Sequence, residues 1–185
     1  MSHLAALPRL ETERLILRSW QESDVDPFCA LNADPEVMHF FPELMSRQRT
    51  LDNMAHNAAE AERTGFGRHA VEVKETGEFI GVVGLMEVGF DSAIKGEIEI
   101  GWRLSRSSWG QGYAREAALE TVRWGLEDMK LDQVISFAPT INRPSITVMK
   151  SIGMLRDLKG DFIHPGLDKD SPLQPLEVWR KRISR

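Results

Sequence analysis

A chain of 185 residues, 42% hydrophobic and 28% charged, has the size and make-up of one globular domain over residues 1–185. Its net charge of −5 argues against a nucleic-acid binder that works by bulk phosphate attraction. Cys29 is the single cysteine, which excludes an intrachain disulfide and a cysteine metal cluster and leaves a small core residue as its plain reading.

Residues 1–15 lack the basic and apolar regions of a secretory signal, and no apolar run later reaches the length of a membrane span. A cytoplasmic protein is expected. Arg14-Leu15-Ile16-Leu17-Arg18 predicts a first strand, apolar and flanked by charge. Ser23 is placed as the cap of a short helix to about Leu31, with Asp24 in the first turn where the helix dipole favours an acid. Pro35 ends that segment and begins a turn running into Met38, Phe40 and Phe41. Ser46 caps a longer helix that stops at Gly65. Strands follow at 68–74 and 79–88 around the tight turn Glu75-Thr76-Gly77-Glu78. Gly81 and Gly84 inside the second strand point to a bulge or a close backbone approach.

A hairpin connection over 90–96 leads into the stretch that organises the chain. Residues 97–104 read as a strand, because Ile98, Ile100, Trp102 and Leu104 share one face at period two. The turn Trp109-Gly110-Gln111-Gly112-Tyr113-Ala114 follows. An amphipathic helix then runs to Met129, with Ala117, Ala118, Thr121, Val122, Gly125 and Leu126 on one stripe. A glycine-rich turn feeding a helix N-terminus makes a phosphate cradle, since the first helical turn offers unpaired N–H donors and a partial positive charge. No Lys-Ser/Thr follows Gly112, so this is not a P-loop, and Arg115 stands where a dinucleotide fingerprint needs its third glycine. Arg103, Arg106 and Arg115 bracket the turn, equally readable as anion ligands or as solvated charge. Residues 133–138 form a buried strand stopped by Pro139. Asn142-Arg143-Pro144-Ser145 opens a helix to about Gly153. Two strands, at 155–162 and 176–183, close the chain around a Pro-, Gly- and Asp-rich loop.

The turn from Trp109 to Ala114 resembles the pyrophosphate loop of the GNAT acetyltransferases, roughly Arg/Gln-x-x-Gly-x-Gly/Ala. Gly112 and Ala114 fit, and Trp109 replaces the usual Arg or Gln as in the RimJ/RimL-type branch, whose usual opening the stretch Thr12-Glu13-Arg14-Leu15-Ile16-Leu17-Arg18 also resembles. The resemblance covers essentially the whole chain. It implies an α/β (α+β) fold, a mixed twisted sheet of six to seven strands flanked by about four helices, with central strands splayed at the cofactor site. It further implies acetyl-CoA as co-substrate, bound by Trp109, Gly110, Gln111, Gly112, Tyr113, Ala114 and Arg115, with edge groups of Trp102, Arg103 and Leu104 along the pantetheine. Asn142 matches the family's pantetheine-binding Asn, the role favoured here, and a plain N-cap is its alternative; both can be true.

Acetyl transfer to an amine needs a base, a stabilised carbonyl oxygen and a protonated leaving thiolate. Glu99 is the first candidate base and Glu97, on the same strand face, the second; each reads alternatively as a solvent-facing or arginine-paired carboxylate. Glu72 and Glu87 are weaker. Met149 stands where many relatives carry the acidic Tyr, and Ser145 occupies the slot that serves instead in part of the branch. His3, His39, His56, His69 and His164 show no metal-ligand spacing, and no metal is expected. Phe40, Phe41, Phe66, Trp102 and Phe162 read as core or acceptor-pocket aromatics. The expected function is N-acetylation of a primary amine by direct attack in a ternary complex. The acceptor is a small molecule or, with a slight lean, a protein N-terminus; nucleic acid and membrane partners are not expected, and a homodimer is possible in this branch. The alternatives are a non-catalytic acyl-CoA-binding module and a nucleotide-binding fold of another kind.

Overall fold

The structure, a computed structural model, describes residues 7–183; His3 and the first six residues of the stretch read for a signal lie outside them. β1 (Leu10–Glu11) turns back on β2 (Leu15–Arg18). Leu15 and Leu17 are fully buried, as alternation on a half-covered strand requires. The two residues of β1 have no periodicity for sequence reading to detect.

Gln21 and Asp24, rather than Ser23, start the first helical segment. A 3-10 turn over Glu22–Asp24 passes into α1 (Val25–Ala33). The Asp24 carboxylate accepts from the Gln21 N–H at 2.8 Å and from both terminal nitrogens of Arg18 at 2.7 and 2.9 Å. Arg18 Nε donates to Glu72 at 2.7 Å. Asp24 is 1% exposed; a matched bidentate counter-charge is what makes such burial tolerable. α2 (Arg47–Thr64) starts as expected, with the Ser46 hydroxyl accepting from Arg49 N–H, and ends on Gly65 at φ 80°.

β3 (Arg68–Val73), β4 (Phe79–Glu87) and β5 (Ile98–Leu104) run antiparallel in succession. Both readings of the β4 glycines hold. The β3–β4 register slips between Val71 and Glu72. A Cβ on Gly84 would lie 2.1 Å from the Gly67 carbonyl oxygen, and one on Gly81 would lie 2.2 Å from that of Arg103. α3 (Tyr113–Arg123) widens into a π turn over Trp124–Asp128, where a Cβ on Gly125 would lie 2.8 Å from Leu85. β6 (Gln133–Pro139) and α4 (Arg143–Ser151) follow. The expected strand over 155–162 is split into β7 (Leu155–Arg156) and β8 (Phe162–Ile163) by a turn that the Gly160 N–H closes on the Asp157 carbonyl at 3.0 Å. Both pair with β9 (Pro175–Arg182).

The result is one nine-stranded sheet in the order β1-β2-β3-β4-β5-β6-β9-β7, with β8 also on β9. The short β1 and the split account for its excess over the expected count. Ala117, Ala118 and Val122 of α3 and Ile146 and Met149 of α4 cover one face, against Leu17, Val71, Val83, Leu85 and Ile100. Phe28 and Leu31 of α1 and Met54 of α2 cover the other, against Ala70 and Val82. Neighbours Ala70/Val71 and Val82/Val83 thus divide between two cores, the pattern of a sheet buried on both faces. Among the described residues no helix is long and apolar enough to cross a membrane.

The Arg18–Asp24–Glu72 group gives a stability prediction. Asp24→Ala strands a buried guanidinium with Glu72 alone and should lower unfolding free energy by about 3 kcal/mol in urea titration; a loss below about 1 kcal/mol would contradict the role given to Asp24.

Candidate active site

The site begins where a strand pair fails. β5 and β6 run parallel but register only at Glu99 opposite Ile135; beyond that pair they separate, as the resemblance implied. The Ser105 N–H donates to Ile80 on β4 at 2.8 Å, whereas the Ile100 carbonyl accepts the Ser136 hydroxyl of β6 at 2.9 Å. Alternation therefore turns the N–H groups of Trp102 and Leu104 to the open β6 side. The cleft between the strands holds a cavity of about 280 Å³. Glu99, Gly101 and Arg103 of β5, Arg68 of β3, and Asn142, Ser145 and Met149 line it; Phe40, Phe41 and Pro42 of the turn after α1, and His164, Leu167 and Leu173 of the late loop, complete the wall.

The charged groups divide sharply. Glu97 lies outside the cavity, bound by both terminal nitrogens of Arg180 and by Gln133 Nε2 at 3.0 Å, which leaves it without the free carboxylate a base requires. Glu99 faces the cavity, 3.9 Å from Arg68 Nη2. Burial holds its pKa above the usual carboxylate value, with Arg68 opposing. Arg103 does not bracket the glycine turn with its side chain. It runs to the opposite end of the cavity, donating to Asn32 Oδ1 and lying 4.1 Å over the Phe41 ring. Glu72 is engaged by Arg18, and Glu87 by Arg63 at 2.7 Å.

The glycine turn has the shape a cradle needs. Gly110 and Gly112 sit at φ 74° and 80°, conformations that favour glycine. Gly112 is the N-cap of α3 and no side chain caps it, so the first-turn N–H groups from Tyr113 to Arg115 face outward unpaired. Arg106 and Arg115 are exposed beside them. Trp109 is 48% exposed, and its indole N–H ties the turn to the Leu104 carbonyl at 3.0 Å; Gln111 Nε2 reaches the Ser107 carbonyl at 3.1 Å. Sequence reasoning missed the clamp on this turn. Arg14 donates to the Gln111 carbonyl at 3.0 Å and to Glu116 at 2.7 Å, with its guanidinium 4.6 Å over the Tyr113 ring. Glu116 also receives the Thr12 hydroxyl at 2.6 Å and the Arg14 N–H at 2.8 Å. Partners about a hundred positions apart leave no local signal.

Asn142 is a cap: its Oδ1 accepts the Ser145 N–H at 3.2 Å, leaving its NH₂ free of that duty. Ser145 joins it at the cavity wall, while Met149 is 1% exposed and also part of the core. Phe40 and Phe41 reach the cavity. Trp102 meets both cavity and core, Phe66 is core, and Phe162 packs with Phe90 and Phe137. His164 enters the wall with its Nδ1 accepting from Gly166 N–H at 3.1 Å and its ring stacked on Phe90. Glu116→Ala removes the anchor of Arg14. It should cost about 1–2 kcal/mol in urea unfolding; a loss below about 0.3 kcal/mol would contradict the clamp.

With this geometry in view, the chain can be set beside known proteins. Residues 14–155 match the family described as acetyltransferase (GNAT) domain. An uncharacterised N-acetyltransferase, p20 of Bacillus licheniformis, is 32% identical over 157 residues, covering 80% of this chain and 85% of the relative. The FsC-acetyl coenzyme A-N(2)-transacetylase of Aspergillus fumigatus is 33% identical over 163 residues, covering 82% of this chain and 66% of that protein. A crystal structure of an acetyltransferase from Agrobacterium tumefaciens superposes with a TM-score of 0.77 at 28% identity, covering 96% and 95% of the two chains. The splayed strands, the amide-lined helix start and these likenesses agree: this chain belongs to the GNAT family and is an acyltransferase of the N-acetyltransferase kind.

Proposed function

We propose that the protein moves the acetyl group of acetyl-CoA directly onto a small primary amine bound in the cavity. One observation carries the reading. A single strand, β5, joins a half-buried carboxylate at Glu99, unpaired edge N–H groups at Trp102 and Leu104, and, through the Trp109 indole, the amide cradle. The cradle fits a diphosphate: glycines leave its approach open, the donors are unspent, and Arg106 and Arg115 add exposed positive charge. The N–H groups from Gln111 to Arg115 would hold the pyrophosphate, and the Asn142 NH₂ would donate to the pantetheine. The name of the Aspergillus relative supports acetyl-CoA as the donor.

Trp102 and Leu104 N–H groups would stabilise the negative charge that grows on the thioester oxygen. Glu99 would accept one proton of the ammonium, so that the nitrogen lone pair forms the N–C bond; as the C–S bond of the tetrahedral adduct breaks, the nitrogen gives up a second proton, which neutralises the departing thiolate. The leaving thiolate is a fair leaving group unaided; Ser145 is the side chain at hand to return a proton. Enclosure of the cavity by Phe40, Phe41, Pro42 and the late loop favours a small acceptor over the protein N-terminus to which the sequence leaned.

The catalytic and the merely binding alternatives separate on one variant. Glu99 must be ionised to act, and burial raises its pKa, so the acid limb of kcat/KM should fall above the ordinary glutamate value of about 4.3. Glu99→Gln should erase that limb and lower kcat by about 10²–10⁴-fold, with acetyl-CoA affinity held within about threefold. Unchanged turnover would rule out Glu99 as the base, and no turnover in the parent protein with any amine would favour the binding module.

A further inference from the structure

Two arginines are buried among the described residues, Arg18 and Arg103, and Arg18 is neutralised by Asp24 and Glu72. The half-buried Arg180 is likewise held by Glu97 and Asp157, and the exposed Arg156 by Asp161 and Glu177. The cavity breaks the pattern. Arg103 is 9% exposed yet has no carboxylate partner among the described residues; a neutral amide, Asn32, and the Phe41 ring are what it meets. Its Nε is buried without a hydrogen-bond partner, and so is the Nε of Arg68. Arg68 has only the loose 3.9 Å contact with Glu99. Burial, with Arg68 second, pushes the Arg103 guanidinium down to about 9, so it remains charged at neutral pH.

The spacing is set by β5. Glu99, Gly101 and Arg103 lie on one face at period two, and the Arg68 guanidinium fills the space over Gly101, its Nη2 3.3 Å from where a Cβ would stand. A carboxylate thus sits at one end of the cavity, with one guanidinium in the middle and another at the far end. Two guanidiniums facing one carboxylate give an enclosed excess of positive charge, costly unless something brings the missing anion. Planar guanidiniums with unspent donors suit a carboxylate, which two parallel N–H bonds can grip.

We propose that the acceptor is an amino acid-like molecule, whose amine meets Glu99 and whose own carboxylate is held by Arg68 and Arg103. This rests on the acetyltransferase reading above and names the class of acceptor it uses. A polyamine or an unsubstituted alkylamine would bring further positive charge to the same two arginines and should be rejected.

The test is a matched panel of amino acids and their carboxamides, with thiol release as the readout and acetyl-CoA binding by calorimetry as the control. Each member is also scored by thermal shift in the presence of CoA, so that a bound but unreactive carboxylate still registers. The expected result is a kcat/KM at least about 30-fold higher for the carboxylate of a pair than for its amide, carried mainly by KM. Arg103→Gln and, as a second variant in case the first does not fold, Arg68→Gln should each bring that ratio towards one, while CoA affinity stays near the parent value. Equal use of both partners, preference for the amides, or neither turnover nor shift from any carboxylate would overturn the proposal while leaving acetyl-CoA binding intact. Loss of the acetyl-CoA signal itself in the parent protein would instead fail the reading on which it rests.

Discussion

β5 loses its partner after one residue pair, Glu99 opposite Ile135, and the backbone beyond that pair must be satisfied by something other than β6. In a sheet covered on both faces, unpaired N–H and C=O groups are expensive. The protein meets part of the demand itself: Ser136 caps the Ile100 carbonyl and Trp109 the Leu104 carbonyl. What remains, the N–H groups of Trp102 and Leu104, lines a cleft. Nearly every other feature of the site follows from that gap. α4 begins at its mouth with Asn142, α3 begins at its end with Gly112, and the turn after α1 closes its side.

Electrostatics separates what holds the fold from what is left for a ligand. Around the sheet, carboxylates and guanidiniums are matched: Asp24 with Arg18, Glu97 with Arg180, Glu116 with Arg14. Inside the cleft the matching stops, with Glu99 raised by burial and Arg103 lowered by it. Opposite departures in one small space are how titratable groups are commonly prepared for proton transfer and ion recognition. Glu97, just before β5, and Glu99 within it show how environment divides roles. Glu97 and Glu99 share a face, but only Glu97 finds a committed counter-ion, and only Glu99 meets the cavity.

Much of this was legible in the sequence because it is local. The Ser46 cap, the Gly65 stop, the glycines of β4 and the turn at Gly110–Gly112 each depend on backbone chemistry within a few residues, and each lies where the sequence put it. What escaped was either too short or too distant. β1 and β8 have two residues each and no period. Ser23 looked like the cap because hydroxyls usually do that work, yet Asp24 prevailed by also neutralising Arg18. Arg14, Asn32 and Phe41 reach the site from parts of the chain roughly 60 to 100 positions away, and Arg103 read as an anion ligand of the glycine turn or as solvated charge until its face of β5 was known.

The account's central claim is that the gap beside β5 and the cradle at Gly112 form one site for an acyl-CoA. Calorimetric titration with acetyl-CoA, CoA and NADPH tests it most directly. The account predicts stoichiometric binding of the CoA pair and at least about tenfold weaker binding of NADPH, which carries a diphosphate but no pantetheine for the cleft. Equal binding of all three, or none by CoA, would contradict it and leave the glycine turn as a turn.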